Sequence, residues 1–285
     1  MRSVLLILTA ISLAACQPKE ESITDTSSLD QIADSVEGAI TGASGAIDDA
    51  SGDSMVSQRS LFLKLLVPEA HAACTRTLTN NGGGNCSRNV NCDFGSYLWS
   101  GTISLNFANG ATCSLTGAGD SFTRTPEFGR TGPRGTIQTT SQNRQAWDGN
   151  TIGGGMTISQ VDGMGNLSLD IDGIHKILTR TGGRTVFDMS VSTTSPLQIN
   201  QLSRNGRNIS SGVLSVHHNR ARFTAEHTFQ SVSYSSSCCY PTSGSISTDL
   251  TGTLNGNATV TFNGCGKISV SFKGNSKSYT LANCE

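Results

Sequence analysis

This sequence is short of charge. Lys, Arg, Asp and Glu make up 14% of its 285 residues, against about 25% in an ordinary globular domain. Gly (32 residues), Ser, Thr and Asn are abundant instead. A chain of this kind builds many short strands and turns rather than helices. Long apolar runs are missing too. Val4 to Leu13 falls short of the ~20 apolar residues a transmembrane helix needs. The best later run, Leu61 to Val67, is shorter still and contains Lys64. There is no repeat of fixed period. Gly153-Gly154-Gly155 is not followed by Lys-Ser/Thr or by a helix, which excludes a phosphate loop. No cofactor is implied.

The formal net charge of −1 hides an uneven distribution. Gln17 to Gln58 holds nine acids and one base, a net of −8; Arg59 to Glu285 holds eighteen bases and twelve acids, a net of +6. The acidic stretch carries a helix signal. Ser28 and Gln31 form a capping-box pattern, and Leu29, Ile32, Ala33, Val36 and Ile40 follow at helical spacing. Gly42 and Gly45 break it. A second apolar stretch, Met55 to Val67, stops before Pro68. Residues 16–73 therefore read as an acidic stalk with two short amphipathic helices, used for reach or for docking on a partner or on the body.

The start of the chain has a basic Arg2, an apolar run and then Leu13-Ala14-Ala15-Cys16, the layout of a secretory signal. Leu-Ala-Ala-Cys resembles the lipobox of bacterial lipoproteins. That resemblance implies removal of residues 1–15, a diacylglyceryl group on the Cys16 thiol and an acylated (palmitate-type) new N-terminus. Each buried CH₂ adds about 0.8 kcal/mol of membrane affinity, so three chains make an effectively permanent tether. Gln17, where Asp commonly retains such proteins in the inner membrane, implies the outer membrane, on its periplasmic face or at the cell surface.

Eight cysteines remain after Cys16. An even number in an exported chain reads as disulfides. They fall into two groups, Cys74, Cys86, Cys92 and Cys113, then Cys238, Cys239, Cys265 and Cys284. Pairing is expected within each group, with the adjacent Cys238 and Cys239 each reaching Cys265 or Cys284. Cys238-Cys239 is not a C-x₂-C knuckle, so no metal site is expected there.

From residue 74 onward the apolar period switches from 3.6 to 2. Tyr97, Trp99, Ile103, Leu105 and Phe107 form one face of a strand. A three-residue loop, Ala108 to Gly110, is expected to pair Leu105 with Cys113. Leu167, Leu169 and Ile171 form another strand, and Phe187, Met189 and Val191 a third. Two-residue turns at Asn205-Gly206 and His218-Asn219 are expected to pair Leu202 with Ile209 and Val216 with Ala221. Ile246 to Leu281 reads as a four-stranded antiparallel meander. Residues 74–285 are thus an all-β, disulfide-braced antiparallel body of roughly a dozen strands. A sandwich, an open barrel and a wrapped sheet all satisfy the pattern, with a possible sub-boundary near 120–150.

Gly119-Asp120-Ser121-Phe122 resembles the nucleophile block of the GDSL hydrolases, and Asp172-Gly173-Ile174-His175 their Asp-x-x-His block. The resemblance implies that Ser121 attacks an ester while His175, oriented by Asp172, takes its proton. Those enzymes are α/β folds, whereas these blocks lie amid strands and turns. Asp162, Asn166, Asp170 and Asp172 offer oxygen ligands but lack the EF-hand spacing. His217, His218 and His227 are expected to decorate a hairpin rather than converge on a metal.

Arginine is the more suggestive surface feature. Arg124, Arg130, Arg134, Arg144, Arg180, Arg184, Arg204, Arg207, Arg220 and Arg222 cluster around Gly/Pro-rich loops, where guanidinium groups suit bidentate capture of carboxylate or phosphate. Internal pairing with the acidic stalk is the competing use. The sequence thus points to a non-enzymatic binding or structural module for anionic envelope polymers (lipopolysaccharide, peptidoglycan or acidic glycans) or surface glycans. The other readings are a serine hydrolase using Ser121 and His175 and a periplasmic lipid carrier with a hollow barrel. An envelope location excludes nucleic acid as a partner.

Overall fold

The computed structural model describes residues 28–40, 73–93, 98–108, 110, 113–115, 117–132, 135–201, 205–238 and 240–281. The Leu13–Cys16 motif, Met55 to Val67, Tyr97, Arg134, Leu202, Arg204, Cys239 and Cys284 lie outside them. Among the described residues there is one helix, α1 (28–40). Sixteen strands follow, β1 Ala73–Asn80, β2 Asn85–Asp93, β3 Leu98–Phe107, β4 Ser121–Gly132, β5 Gly135–Thr140, β6 Arg144–Gln145, β7 Thr151–Ile152, β8 Gly155–Gln160, β9 Leu167–Thr179, β10 Thr185–Ile199, β11 Asn208–His218, β12 Phe223–Ser233, β13 Ser243–Gly252, β14 Gly256–Phe262, β15 Lys267–Phe272 and β16 Asn275–Thr280.

Fourteen strands form one antiparallel sheet, ordered β1-β2-β3-β4-β5-β9 and then consecutively to β16. Within 120–150, β4 and β5 pair continuously into this sheet, while β6 leaves it to pair with β7. Long β4 and β9 share one lane between them, filled at one end by β5 and at the other by β8. The chain leaves this lane at Ser141 and re-enters at Gly154, whose N–H donates to the Ser141 carbonyl at 2.8 Å. The excursion is the β6–β7 hairpin, which positions the site described below.

The C-terminal meander follows its alternation directly. Ile246 faces Val260, Val260 faces Val270 and Ile268 faces Tyr279, so one face is apolar along β13 to β16 and the other polar. The apolar face continues through Ile174, Val191, Val216, Ala225 and Leu250 into a single core.

Helix α1 sits on that face. Leu29, Ile32, Val36, Ala39 and Ile40 are buried in the same core as the strands. Ser35 Oγ is 2.9 Å from His227 Nε2 on β12. The Tyr240 hydroxyl donates to Glu37 at 2.8 Å, and Lys277 and Tyr279 on β16 both donate to Asp30 at 2.6 and 2.8 Å. At Gly38 an added Cβ would meet Met189 Cε at 3.0 Å, so glycine lets the helix approach β10 closely. Residues 28–40 are therefore part of the body, not of a spacer reaching away from it. Their helix covers the apolar face that a hollow lipid carrier would leave open.

Three expected hairpins are corrected. Leu105 pairs with Arg124, not Cys113, because β3 continues to Phe107↔Phe122 and the loop between runs from 108 to 120. Cys113 instead bonds to Cys86, which lies opposite Leu105 on the other side. Ile209 pairs with Ile199. Val216 pairs with Ala225 across a four-residue turn, because the pairing ends at His218↔Phe223.

Both described disulfides, Cys86–Cys113 and Cys238–Cys265, stay within their groups, and each spans 27 residues. A loop of that size stabilises by about 3–4 kcal/mol. Cys92 is also disulfide-bonded, and Cys74 lies opposite it in the β1–β2 register.

Candidate functional site: a polar cleft under the β6–β7 hairpin

The outer face of β9 to β13 is polar where the inner face is apolar. Strand alternation puts His175, Ser190, His217, Thr224 and Thr251 in one cross-strand row, and Ser192, Ser215, Glu226 and Asp249 in the next. The β6–β7 hairpin lies over these rows. Arg144 reaches Asp188 at 3.1 Å. The Trp147 backbone N–H donates to Asn219 Oδ1 at 3.0 Å, and its indole Nε1 donates to Thr224 Oγ1 at 3.1 Å. The Ile152 carbonyl accepts from His175 Nε2 at 2.8 Å. Gly252, with φ of 107°, leaves room for the indole, since a Cβ there would lie 3.0 Å from Trp147 Cη2.

Between hairpin and sheet is a solvent-open cleft of about 480 Å³. Its hairpin wall includes Trp147, Asp148 and Asn150; its floor includes Ser192, Thr194, Ser215, His217, Thr224, Glu226 and Thr251. Thr194 is the extra residue of a β-bulge: Thr193 pairs with Leu214, and Ser195 with Val213. Bulges re-aim side chains beside sites of this kind.

His217 is at the centre. Its Nδ1 is 3.1 Å from Asp148 Oδ2 and 3.2 Å from Thr224 Oγ1, and its Nε2 is 3.3 Å from Ser215 Oγ. A carboxylate only accepts, so Nδ1 carries the proton of the neutral ring and Nε2 is free to accept from Ser215. Burial pushes the His217 pKa below the usual histidine value, against the pull of the Asp148 and Glu226 carboxylates. The turn holding Asp148 also fixes its carboxylate: Oδ1 accepts from the Asn150 N–H at 3.2 Å and Oδ2 from Asn150 Nδ2 at 3.0 Å.

The residues singled out from the sequence are dispersed. Ser121 lies six residues along β4 from Glu127, the residue level with Thr140 and His175, which is about 20 Å along the strand. His175 is fully buried, with Nδ1 2.8 Å from Ser190 Oγ and Nε2 on the Ile152 carbonyl. Asp172 is exposed beside Gly154. The structure does not bring Ser121 and His175 together. Asp162 instead caps its own turn through Met164 and Asn166, and Asp170 accepts from Thr193. Among the described residues no group of three His, Cys, Asp or Glu side chains is placed to hold a metal. His217 and His218 point to opposite faces of β11, and His227 is in the core.

Of the arginines, Arg124 (4% exposed) and Arg207 (0% exposed) are corrected from surface to interior. Arg124 Nη1 is 3.8 Å from Met156 Sδ, and Arg207 lies over the Tyr234 ring. Arg130 lies 5.8 Å from the centre of the Trp99 ring. Arg180 and Arg184 are exposed in the β9–β10 turn, and Arg220 and Arg222 in the β11–β12 turn. Alternate turns of an antiparallel meander share one end of the sheet, so these four lie at the same end. They stand outside the cleft, which no Lys or Arg lines among the described residues.

Sequence reasoning missed Trp147, Asp148, Ser192, Ser215 and Glu226. The only signal was the i, i+2 pair Ser215/His217 on an alternating strand. Comparison with protein-family models, with curated proteins and with solved structures finds no match.

Proposed function

We propose that the protein is a lipid-anchored envelope module that binds a hydroxyl-rich glycan in the cleft beneath the β6–β7 hairpin. The carrying observation is the composition of its walls: one indole, six Ser/Thr hydroxyls and two carboxylates around an open trough. An indole offers a flat apolar surface for the C–H face of a sugar ring. Hydroxyls donate to and accept from sugar hydroxyls, and carboxylates accept from them. Asp148 and Glu226 disfavour an anionic group inside, so acidic substituents of such a polymer belong at the rim, near Arg220 and Arg222. Leu13-Ala14-Ala15-Cys16 supports the anchor, and Gln17 an outer-membrane location.

Retention of the detergent-solubilised full-length protein on immobilised lipopolysaccharide, peptidoglycan and an acidic glycan tests this. Wild type is expected to be retained on at least one. Trp147→Ala should weaken retention about tenfold, the equivalent of about 1.4 kcal/mol. Replacing Arg220 and Arg222 by Ser should remove salt sensitivity while leaving retention at high salt. Passage of wild type through all three columns overturns the proposal.

A further inference from the structure

Taking its substrate class from the glycan reading, we propose that Ser215, His217 and Asp148 form a nucleophile–base–orienter relay that removes ester-linked acyl groups from the polymer held in the cleft. The contacts follow the order such a relay requires: Ser215 Oγ to His217 Nε2 at 3.3 Å, then His217 Nδ1 to Asp148 Oδ2 at 3.1 Å. All three residues line the cleft. The orienting carboxylate is itself held by two bonds from Asn150, so its aim is fixed before substrate arrives. His175, the other histidine on this face beside a serine, has no such opening. Both it and Ser190 are fully buried.

Glu226 determines how an ester must lie. It sits directly across from Ser215 on β12, and its negative charge repels a developing oxyanion. The substrate carbonyl oxygen therefore points the other way, toward β10, where the Ser192 and Thr194 hydroxyls line the cleft. Ser192 is the register partner of Ser215 on that side.

In the first half-reaction Ser215 Oγ bonds to the acyl carbon and its proton passes to His217 Nε2. The C–O bond to the sugar breaks, and His217 returns that proton to the sugar oxygen. Water then attacks the acyl carbon and gives a proton to His217, which passes it to Ser215 Oγ as the acyl–serine bond breaks. The products are a free sugar hydroxyl and a carboxylic acid, with no change of oxidation state. Asp148 touches neither substrate nor product; it positions the ring and stabilises the imidazolium.

A fluorophosphonate probe on the full-length protein, read by intact mass and peptide mapping, tests the relay. A single adduct is expected at Ser215. Ser215→Ala should lose it, Ser121→Ala should keep it, and Asp148→Asn should slow labelling at least a hundredfold. Near-ultraviolet dichroism of each variant should match wild type, separating lost chemistry from lost fold. The labelling rate should hold to below pH 6.5, because burial keeps His217 neutral there. Asp148→Asn removes a charge that favours the imidazolium, so its acid limb should move to still lower pH, which a purely structural role does not predict. No adduct, or an adduct at another serine, overturns the relay and leaves glycan retention standing. An adduct at Ser215 in a protein that no glycan column retains supports the relay and overturns the glycan reading.

Discussion

Replacing Ile32 by alanine should lower the unfolding free energy of the full-length protein by about 2–5 kcal/mol, the range for truncating a buried aliphatic side chain. Ile32 is fully buried in the core it shares with β10 to β15. Urea unfolding measures the loss. On a helix that only spaces the body from a membrane, the same change stays within about 0.5 kcal/mol. The exposed Asp30–Lys277 pair at the edge of the helix is a contrast. Its removal should cost no more than about 1 kcal/mol, because solvent screens it. If Ile32→Ala costs no more than that, α1 does not dock as described.

Acidification from pH 7 to pH 5 should destabilise the fold by about 2 kcal/mol through His227 alone. The ring is fully buried, between Ser35 Oγ on Nε2 and Thr248 Oγ1 on Nδ1, each at 2.9 Å. Burial pushes its pKa down from 6.5 to about 3. The unfolded chain takes up a proton below pH 6.5, and the folded chain does not until about pH 3. Stability that is whole above pH 6.5 is therefore lost as the pH falls between those values, by about 1.4 kcal/mol per unit. The readout is the difference in stability between wild type and His227→Gln as a function of pH, in which the other titrating groups cancel. Wild type should lose about 2 kcal/mol more than the variant between pH 7 and pH 5. A difference independent of pH contradicts the placement of His227.

The helix and the C-terminal meander were legible because local chemistry and pattern agree there. Ser28 and Gln31 mark the start of α1, and each turn from Leu254 onward carries Gly or Asn between runs that alternate cleanly. What the helix packs on was not legible, since an amphipathic stripe names no partner. The β11–β12 register was ambiguous for a specific reason. Pairing Val216 with Ala221 or with Ala225 differs by four residues, and both keep the same residues inside. β4 was hidden because its inward positions are Phe122, Arg124 and Pro126, two of which do not read as core. The cleft was hidden by distance in the chain. Asp148 comes from an excursion out of the β5/β8 lane, while Ser215 and His217 lie 67 and 69 residues later, on a strand whose alternation separates His217 from His218.

The chain contains two tryptophans, one at each competing surface. Trp147 forms a wall of the cleft, and Trp99 lies against Arg130. Fluorine NMR of 5-fluorotryptophan-labelled full-length protein, titrated with soluble fragments of the retained polymer, reads the two at once. Ligand entry into the cleft is expected to shift the Trp147 resonance and leave Trp99 unmoved. A shift of Trp99 with Trp147 unmoved at saturation contradicts the cleft and moves recognition to the Trp99–Arg130 surface on β3 and β4.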